Sequence, residues 1–198
     1  TGLGKPLKII EEPLRSDIPI YIAAIGPKNI ELTAEIADGW LPFMYSPSQG
    51  DDVFRKYLEK GFTKSSEKNK KDSFNIVATV NAKICTEEEK EENLKVARNV
   101  YTLYVGGMGA KDKNFYFNLV CDYGYEDEAH KIQELYLSGK KDEAEALFPS
   151  DLLDDLTLVG TKEEIKQKYE IWKNSNVTEL SIGLPVDIET IKYLKSLN

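Results

Sequence analysis

The chain has 198 residues, of which 41% are hydrophobic and 30% charged, a length that suits one domain. This composition excludes a disordered chain, a collagen-like fibre and a membrane span. The formal net charge of −8 disfavours sequence-independent binding to nucleic acid or to an anionic membrane, so we expect a small-molecule partner. The two cysteines, Cys85 and Cys121, lie far apart in the sequence and make no disulfide framework, so we also expect a cytoplasmic protein.

Short apolar runs alternate with amphipathic stretches along most of the chain. Strands are predicted over residues 17–24, 40–44, 75–84 and 179–183. Helices are predicted from Pro27 to a cap at Gly39, through 53–58, after the capping boxes Thr86–Glu89 and Thr161–Glu164, and over 125–138, 142–147 and 188–197. Four units of this kind predict an α/β fold with a parallel sheet covered by helices.

One long stretch interrupts the alternation. Between residues 106 and 159 the pattern is helical, and we predict no strand there. A complete eightfold barrel takes about 250 residues and eight strands. The residue pattern therefore leaves two possibilities, an open sheet and a part of something larger.

The first predicted βα turn is the most informative place to look for a ligand, because ligands of parallel α/β folds lie beyond the carboxyl ends of the strands. A buried strand, a tight turn at Ile25 and Gly26, and a helix that starts near Pro27 bring free backbone N–H groups and a helix dipole to one point. Such a point suits a phosphate, and Lys28 adds a positive charge nearby. The alternative is an ordinary βα turn, since glycine and proline serve turn geometry with or without a ligand.

The remaining reactive side chains give weak signals. His130, the only histidine, falls within a predicted helix among acidic residues, and we expect it on the surface. Neither cysteine has a second ligand nearby in the sequence, so we predict no metal site. No catalytic residue can be assigned, and an enzyme with this sequence would need a cofactor for its chemistry.

Seven segments carry a family resemblance. They are residues 19–29, 37–42, 104–110, 113–116, 123–125, 132–140 and 158–161. In this order they resemble the bacterial-luciferase-like superfamily, and within it the oxidoreductases that use the deazaflavin coenzyme F420, a group that includes methylenetetrahydromethanopterin reductase. The resemblance covers nearly the whole chain.

The resemblance implies the C-terminal half of a TIM-type (β/α)8 barrel. The four predicted parallel strands would be the fifth to the eighth, with the helical stretch as an insertion before the last strand. Residues 1–198 would then be a single luciferase-like domain that lacks the first four βα units. We expect such a fragment to be inactive when isolated.

The resemblance also implies site residues and a reaction. It places the coenzyme phosphate on Ala24, Ile25 and Gly26, with Lys28 and Asn29 beside it, and the substrate near Phe43, Met44 and Tyr45. The implied reaction is hydride transfer between the reduced deazaflavin and a carbon atom of a small organic substrate. No general acid is implied by the residues present.

Two alternatives stay open. One is a luciferase-like monooxygenase that uses flavin mononucleotide (FMN), whose phosphate would occupy the same turn; the segments 106–109 and 114–116 favour F420. The other is a non-catalytic half-barrel, because an open edge of apolar parallel strand is a pairing surface. On that ground we expect a homo-oligomer.

Overall fold

The computed structural model describes residues 4, 10–12, 14–15, 17–110, 113–183 and 187–198. The strands are β1 Tyr21–Ile22, β2 Gly39–Trp40, β3 Asn75–Ile84, β4 Thr157–Gly160 and β5 Glu179–Gly183. The helices are α1 Pro27–Ile36, α2 Gly50–Lys64, α3 Lys70–Ser73, α4 Glu87–Gly107, α5 Phe115–Asp122, α6 Glu126–Leu137, α7 Lys141–Ala146, α8 Ser150–Asp155, α9 Lys162–Lys173 and α10 Ile188–Ser196.

All strand pairs in the described sheet are parallel, and β3 is its centre. The amide of Asn75 donates to the carbonyl of Asp38, whereas the carbonyl of the next residue, Ile76, accepts from the amide of Thr178. Neighbouring residues of a strand direct their backbone groups to opposite edges, so β2 and β5 flank β3 on its two sides. The order β1-β2-β3-β5 is that of four consecutive strands of a parallel barrel, as predicted.

The short strand β4 was not predicted. It pairs with the last residues of β3, Asn81 to Ile84, although we predicted no strand between 106 and 159. All of its four residues are buried, and a segment this short has no periodicity of its own. Its pairing depends on β3, more than seventy residues earlier in the chain.

The first two strands are shorter than predicted, and Gly39 has a different role. Gly39 begins β2, whereas α1 ends at Ile36 with an extended Ala37 as its cap, so the predicted glycine cap is wrong. A Cβ atom at Gly39 would lie against the ring of Tyr21 and 2.8 Å from the carbonyl oxygen of Asn75. The glycine therefore permits close strand packing instead of ending a helix.

Both predicted capping boxes are confirmed. Thr86 and Glu89 open α4, and Thr161 and Glu164 open α9, each with reciprocal side-chain and backbone hydrogen bonds. A hydrogen bond from Lys90, followed by one from the Thr161 amide, lowers the pKa of Glu164 to about 2. These boxes fix where the helices after β3 and β4 begin, and so help to set the carboxyl edge of the sheet.

The core lies between the sheet and the helices that cover it. Its largest fully buried side chains include Trp40, Ile30, Met44, Ile132 and Leu158. No described helix has both the length and the apolar character needed to cross a membrane.

Two open edges bound the sheet. Among the described residues, β1 pairs only with β2 and β5 only with β3. Ile18 and Ile20, just before β1, are 67% and 62% exposed. At the other edge, Ile188 follows β5 and is 72% exposed. The four barrel strands β1, β2, β3 and β5, with the short β4 beside the end of β3 and apolar side chains exposed at both edges, form a half-barrel.

Candidate functional site

The turn after β1 leads directly into a helix N-terminus, as the sequence predicted. Gly26 is the N-cap of α1 in an extended conformation, with φ −74° and ψ 142°, and Pro27 is the first helical residue. The carbonyl of Gly26 accepts from the amides of Asn29 and Ile30, each at 3.0 Å. Within the described residues, the amides of Gly26 and Lys28 make no hydrogen bond to the protein, so these two donors are available to a ligand.

Two neighbours shape this turn. The indole N–H of Trp40 donates to the carbonyl of Ala24 at 2.8 Å and fixes the end of β1. The ring of Phe115 covers Gly26, because a Cβ atom built on Gly26 would lie 3.1 Å from Phe115 Cζ. Gly26 is therefore buried beneath an aromatic ring, and a larger residue there would press against that ring.

The charged and polar side chains of the turn point to solvent. Lys28 is almost fully exposed, with its Nζ 3.5 Å from the carboxylate of Glu31, which also pairs with Lys64. Asn29 is exposed, and its carbonyl accepts from the hydroxyl of Thr33 at 2.7 Å. The amide of Asn29 is already used within the turn, so its contribution to a ligand would come from its side chain.

The three predicted substrate-side residues lie in the loop after β2 and differ in burial. Met44 and Tyr45 are buried, whereas Phe43 is half-buried. The hydroxyl of Tyr45 donates to the carboxylate of Asp51, and burial, followed by this hydrogen bond, raises the pKa of Tyr45. Of the three side chains, only that of Phe43 has the exposure that contact with a substrate requires.

Phe43 belongs to an aromatic cluster that it forms with Tyr104 and Tyr116. Its ring centroid lies 4.6 Å from that of Tyr104 and 5.8 Å from that of Tyr116, and the two tyrosine rings meet edge to face at 4.7 Å. Burial raises the pKa of Tyr116, so its hydroxyl stays protonated at neutral pH. The cluster lines the carboxyl side of the sheet with flat, partly apolar surfaces.

Asn114 connects this cluster to the turn at Gly26. Its side-chain N–H groups donate to the carbonyls of Tyr104 and Val105 at the end of α4, each at 2.8 Å. Its side-chain oxygen accepts from the amides of Tyr116 and Phe117 at 2.9 and 3.1 Å and caps α5. Asn114 thus fixes the start of the helix that carries Phe115 and Tyr116.

A cavity of about 450 Å³ adjoins the Gly26 turn, within the size range of small-molecule sites. Its lining includes Ile25, Pro27, Tyr57, Phe115 and Cys121. Burial, followed by the charges of Glu126 and Asp122, raises the pKa of the Cys121 thiol to about 11, so it is no nucleophile at neutral pH.

A larger cavity, of about 550 Å³, lies elsewhere. It begins at residues 177–179, at the amino end of β5, and runs along that strand to Ile182 between α9 and α10. Parallel α/β folds bind ligands at the carboxyl edge, so we place the candidate site at the smaller cavity.

The predicted residues are thus only partly brought together. Gly26 lies against Phe115, Ile25 lines the same cavity, and Phe43 packs on Tyr104 and Tyr116. The other predicted residues do not join them: Ala24, Met44 and Tyr45 are buried, and Lys28 and Asn29 are exposed. The segments 104–110 and 113–116 belong to the family resemblance, but nothing in their pattern indicated that Asn114 would cap one helix and bind the end of another.

The signals for His130 and for metal ligands are weak in the sequence. The ring of His130 packs edge to face on Phe117 at 4.9 Å. Across the described ranges, no group of three or more His, Cys, Asp or Glu side chains could hold a metal ion. The site is therefore built from backbone donors and aromatic rings.

The fold is a parallel α/β half-barrel, and its first βα turn places the N-terminus of α1 at the carboxyl edge of the sheet. Residues 4–179 match the family described as luciferase-like monooxygenase, and the chain belongs to this family. A Mycobacterium tuberculosis protein, whose name assigns it provisionally to the coenzyme F420-dependent oxidoreductases, is 37% identical over 182 residues, which cover 92% of this chain and 52% of that protein. The 5,10-methylenetetrahydromethanopterin reductase of Archaeoglobus fulgidus is 23% identical, over 90% of this chain and 52% of its own length.

Solved structures agree on the fold. The coenzyme F420-dependent tetrahydromethanopterin reductase of Methanopyrus kandleri superposes with a TM-score of 0.66 at 24% identity, over 91% of this chain and 49% of that chain. An F420-dependent secondary alcohol dehydrogenase in complex with an F420-acetone adduct gives a TM-score of 0.62 at 14% identity, over 92% and 48% of the two chains. The chain thus spans about half the length of the relatives it matches.

Proposed function

We propose that this chain is the C-terminal half of a coenzyme F420-dependent oxidoreductase, and that its Gly26 turn binds the coenzyme phosphate. The observation that carries the proposal is the turn itself. Two amides without a protein partner among the described residues, a helix N-terminus and a glycine beneath an aromatic ring suit a phosphate oxygen. The 37% identity to a relative named for F420 supports this coenzyme over others.

When bound, the deazaflavin would supply the hydride that passes to or from a carbon atom of the substrate. The residues of this chain would bind and orient. Gly26 and Lys28 would hold the phosphate through their amides, and Ala24 would keep the strand end in place through its bond to Trp40. Phe43, with its tyrosine neighbours, would form an apolar wall that excludes water from the substrate.

A titration of the intact protein with reduced coenzyme F420 and with FMN, followed by fluorescence, tests the choice of coenzyme. We expect F420 to bind more tightly, because the Mycobacterium tuberculosis relative and both solved structures are named for F420. Tighter binding of FMN would overturn the proposal in favour of an FMN-dependent monooxygenase.

The coding sequence upstream of Thr1 tests the proposal that four βα units belong to the same polypeptide. We expect an in-frame extension that encodes them. A stop codon followed by a local start would instead favour a non-catalytic half-barrel. The exposed Ile18, Ile20 and Ile188 give that second candidate its support, because they would bring two copies together at the open sheet edges.

A further inference from the structure

The loop between β2 and α2 contains a backbone conformation that its sequence does not favour. Met44 has a φ of +57°, in the left-handed region that residues with a side chain rarely adopt. Such conformations persist only where the surroundings hold them, and they cluster at functional sites. The bend lets Met44 and its neighbour Tyr45 both face the core, whereas in an extended strand they would face opposite sides.

One side chain from a distant helix end holds this bend. The hydroxyl of Tyr123, which follows α5, donates to the carbonyl of Met44 at 3.0 Å and accepts from the amide of Ser46 at 3.2 Å. Tyr123 is only 4% exposed, and burial raises the pKa of its phenol, so the hydroxyl remains a donor at neutral pH. Its two hydrogen bonds bind the loop at the residue with the unfavourable conformation and again two residues later.

A second contact fastens the same loop to the insertion. The hydroxyl of Ser46 donates to the carboxylate of Asp155 at the end of α8 and accepts from the amide of Gln49 at 3.0 Å. Two parts of the helical insertion therefore bind this loop, which also carries Phe43, the half-buried phenylalanine of the aromatic cluster.

We propose that Tyr123 is a positioning residue: by holding Met44 in its left-handed conformation, it fixes Phe43 on the substrate side of the coenzyme site. The role of Phe43 on the substrate side rests on the proposed F420-dependent function. The stabilisation of the Met44 conformation by Tyr123 does not depend on that function. The insertion before the last strand thus acts as the scaffold of the substrate-side loop.

Methionine-methyl NMR tests the hold directly, because the chain contains only two methionines, Met44 in the loop and Met108 far from it in sequence. Tyr123→Phe keeps the buried ring but removes both hydrogen bonds. We expect the Met44 methyl resonance to split or broaden while that of Met108 stays in place. A Met44 resonance that remains single and sharp in Tyr123→Phe would overturn the proposal.

Tyr125→Phe is the matched control. The hydroxyl of Tyr125 donates to Asp151 at 2.7 Å and makes no hydrogen bond to the loop among the described residues, so its loss should leave Met44 as in the wild type. A double variant provides a second measurement. Because glycine adopts a positive φ freely, Met44→Gly should lower the unfolding midpoint less in Tyr123→Phe than in the wild type. If Met44→Gly lowers the unfolding midpoint equally in the wild type and in Tyr123→Phe, Tyr123 does not stabilise the Met44 conformation.

Addition of coenzyme F420 separates the two proposals. If fluorescence shows that F420 binds, the Met44 methyl of the wild type should shift on saturation, since the loop borders the site. Binding without any shift would overturn the positioning role and leave the proposed function standing. Absence of F420 binding would overturn the proposed function, and the Tyr123→Phe spectrum would still decide whether Tyr123 holds Met44.

Discussion

Removal of the Asn114 side chain is expected to weaken the protein at the point where two helices meet. Asn114 is 2% exposed, and its amide group makes four hydrogen bonds to backbone groups of α4 and α5. Loss of an asparagine N-cap costs about 1 kcal/mol. The carbonyls of Tyr104 and Val105, left without this donor, cost about 1 kcal/mol each. We therefore expect Asn114→Ala to lower the free energy of unfolding by about 3 kcal/mol.

Urea denaturation followed by circular dichroism measures this loss. Asn114→Ser retains a good cap acceptor but cannot donate to both carbonyls, so it should recover about 1 kcal/mol of the loss. Asn118→Ala, an exposed position in the same helix, is the matched control and should change stability by no more than about 0.5 kcal/mol. The reasoning is refuted if Asn114→Ala is no less stable than Asn118→Ala.

Two further predictions concern packing and pH. Gly61→Ala would bring a methyl group to 2.5 Å from the Cβ atom of Ala34. We expect thermal melts to show a loss of about 1–3 kcal/mol in the free energy of unfolding, despite the better helix propensity of alanine. An unchanged midpoint would contradict this close approach of α1 and α2. Lys83 donates to Asp187 at 2.8 Å and lowers the pKa of that carboxyl to about 2. Because the folded-state pKa is lowered, the stability from this pair is present above about pH 4 and disappears between about pH 4 and 2, with a size of about 1 kcal/mol for a partly exposed pair. Lys83→Met should reduce the slope of stability against pH in that window, and an equally steep slope would count against the ion pair.

Local signals predicted most of the longer helices and the longest strand, whereas the short helices α3, α5 and α8 were not predicted as separate elements. The capping boxes at Thr86 and Thr161 and the alternation over 75–84 depend on residues close together in the sequence, and the structure confirms them. Strand β4 and the role of Gly39 could not be predicted in this way. Each depends on a partner strand whose position only the folded sheet determines.

In the candidate site too, features set by adjacent residues could be predicted, and features set by distant contacts could not. The turn at Gly26 could be predicted, because glycine, proline and the strand before them are adjacent. The bond between Tyr123 and Met44 spans 79 residues and leaves no periodic pattern. Nor could the sequence show that Tyr45 turns into the core while Phe43 stays half-exposed, since that depends on the positive φ of Met44.

The central claim, that the Gly26 turn binds the coenzyme phosphate, is tested most directly by comparing F420 with the same deazaflavin lacking its phosphate. In the wild type we expect tighter binding of the phosphorylated form. Gly26→Asp places a carboxylate against the phosphate. It should reduce the ratio of the two affinities about tenfold, which corresponds to about 1.4 kcal/mol. Gly26→Ala adds the same Cβ beside the Phe115 ring without charge and should retain more of it. If Gly26→Asp weakens both ligands equally, the phosphate does not bind at this turn.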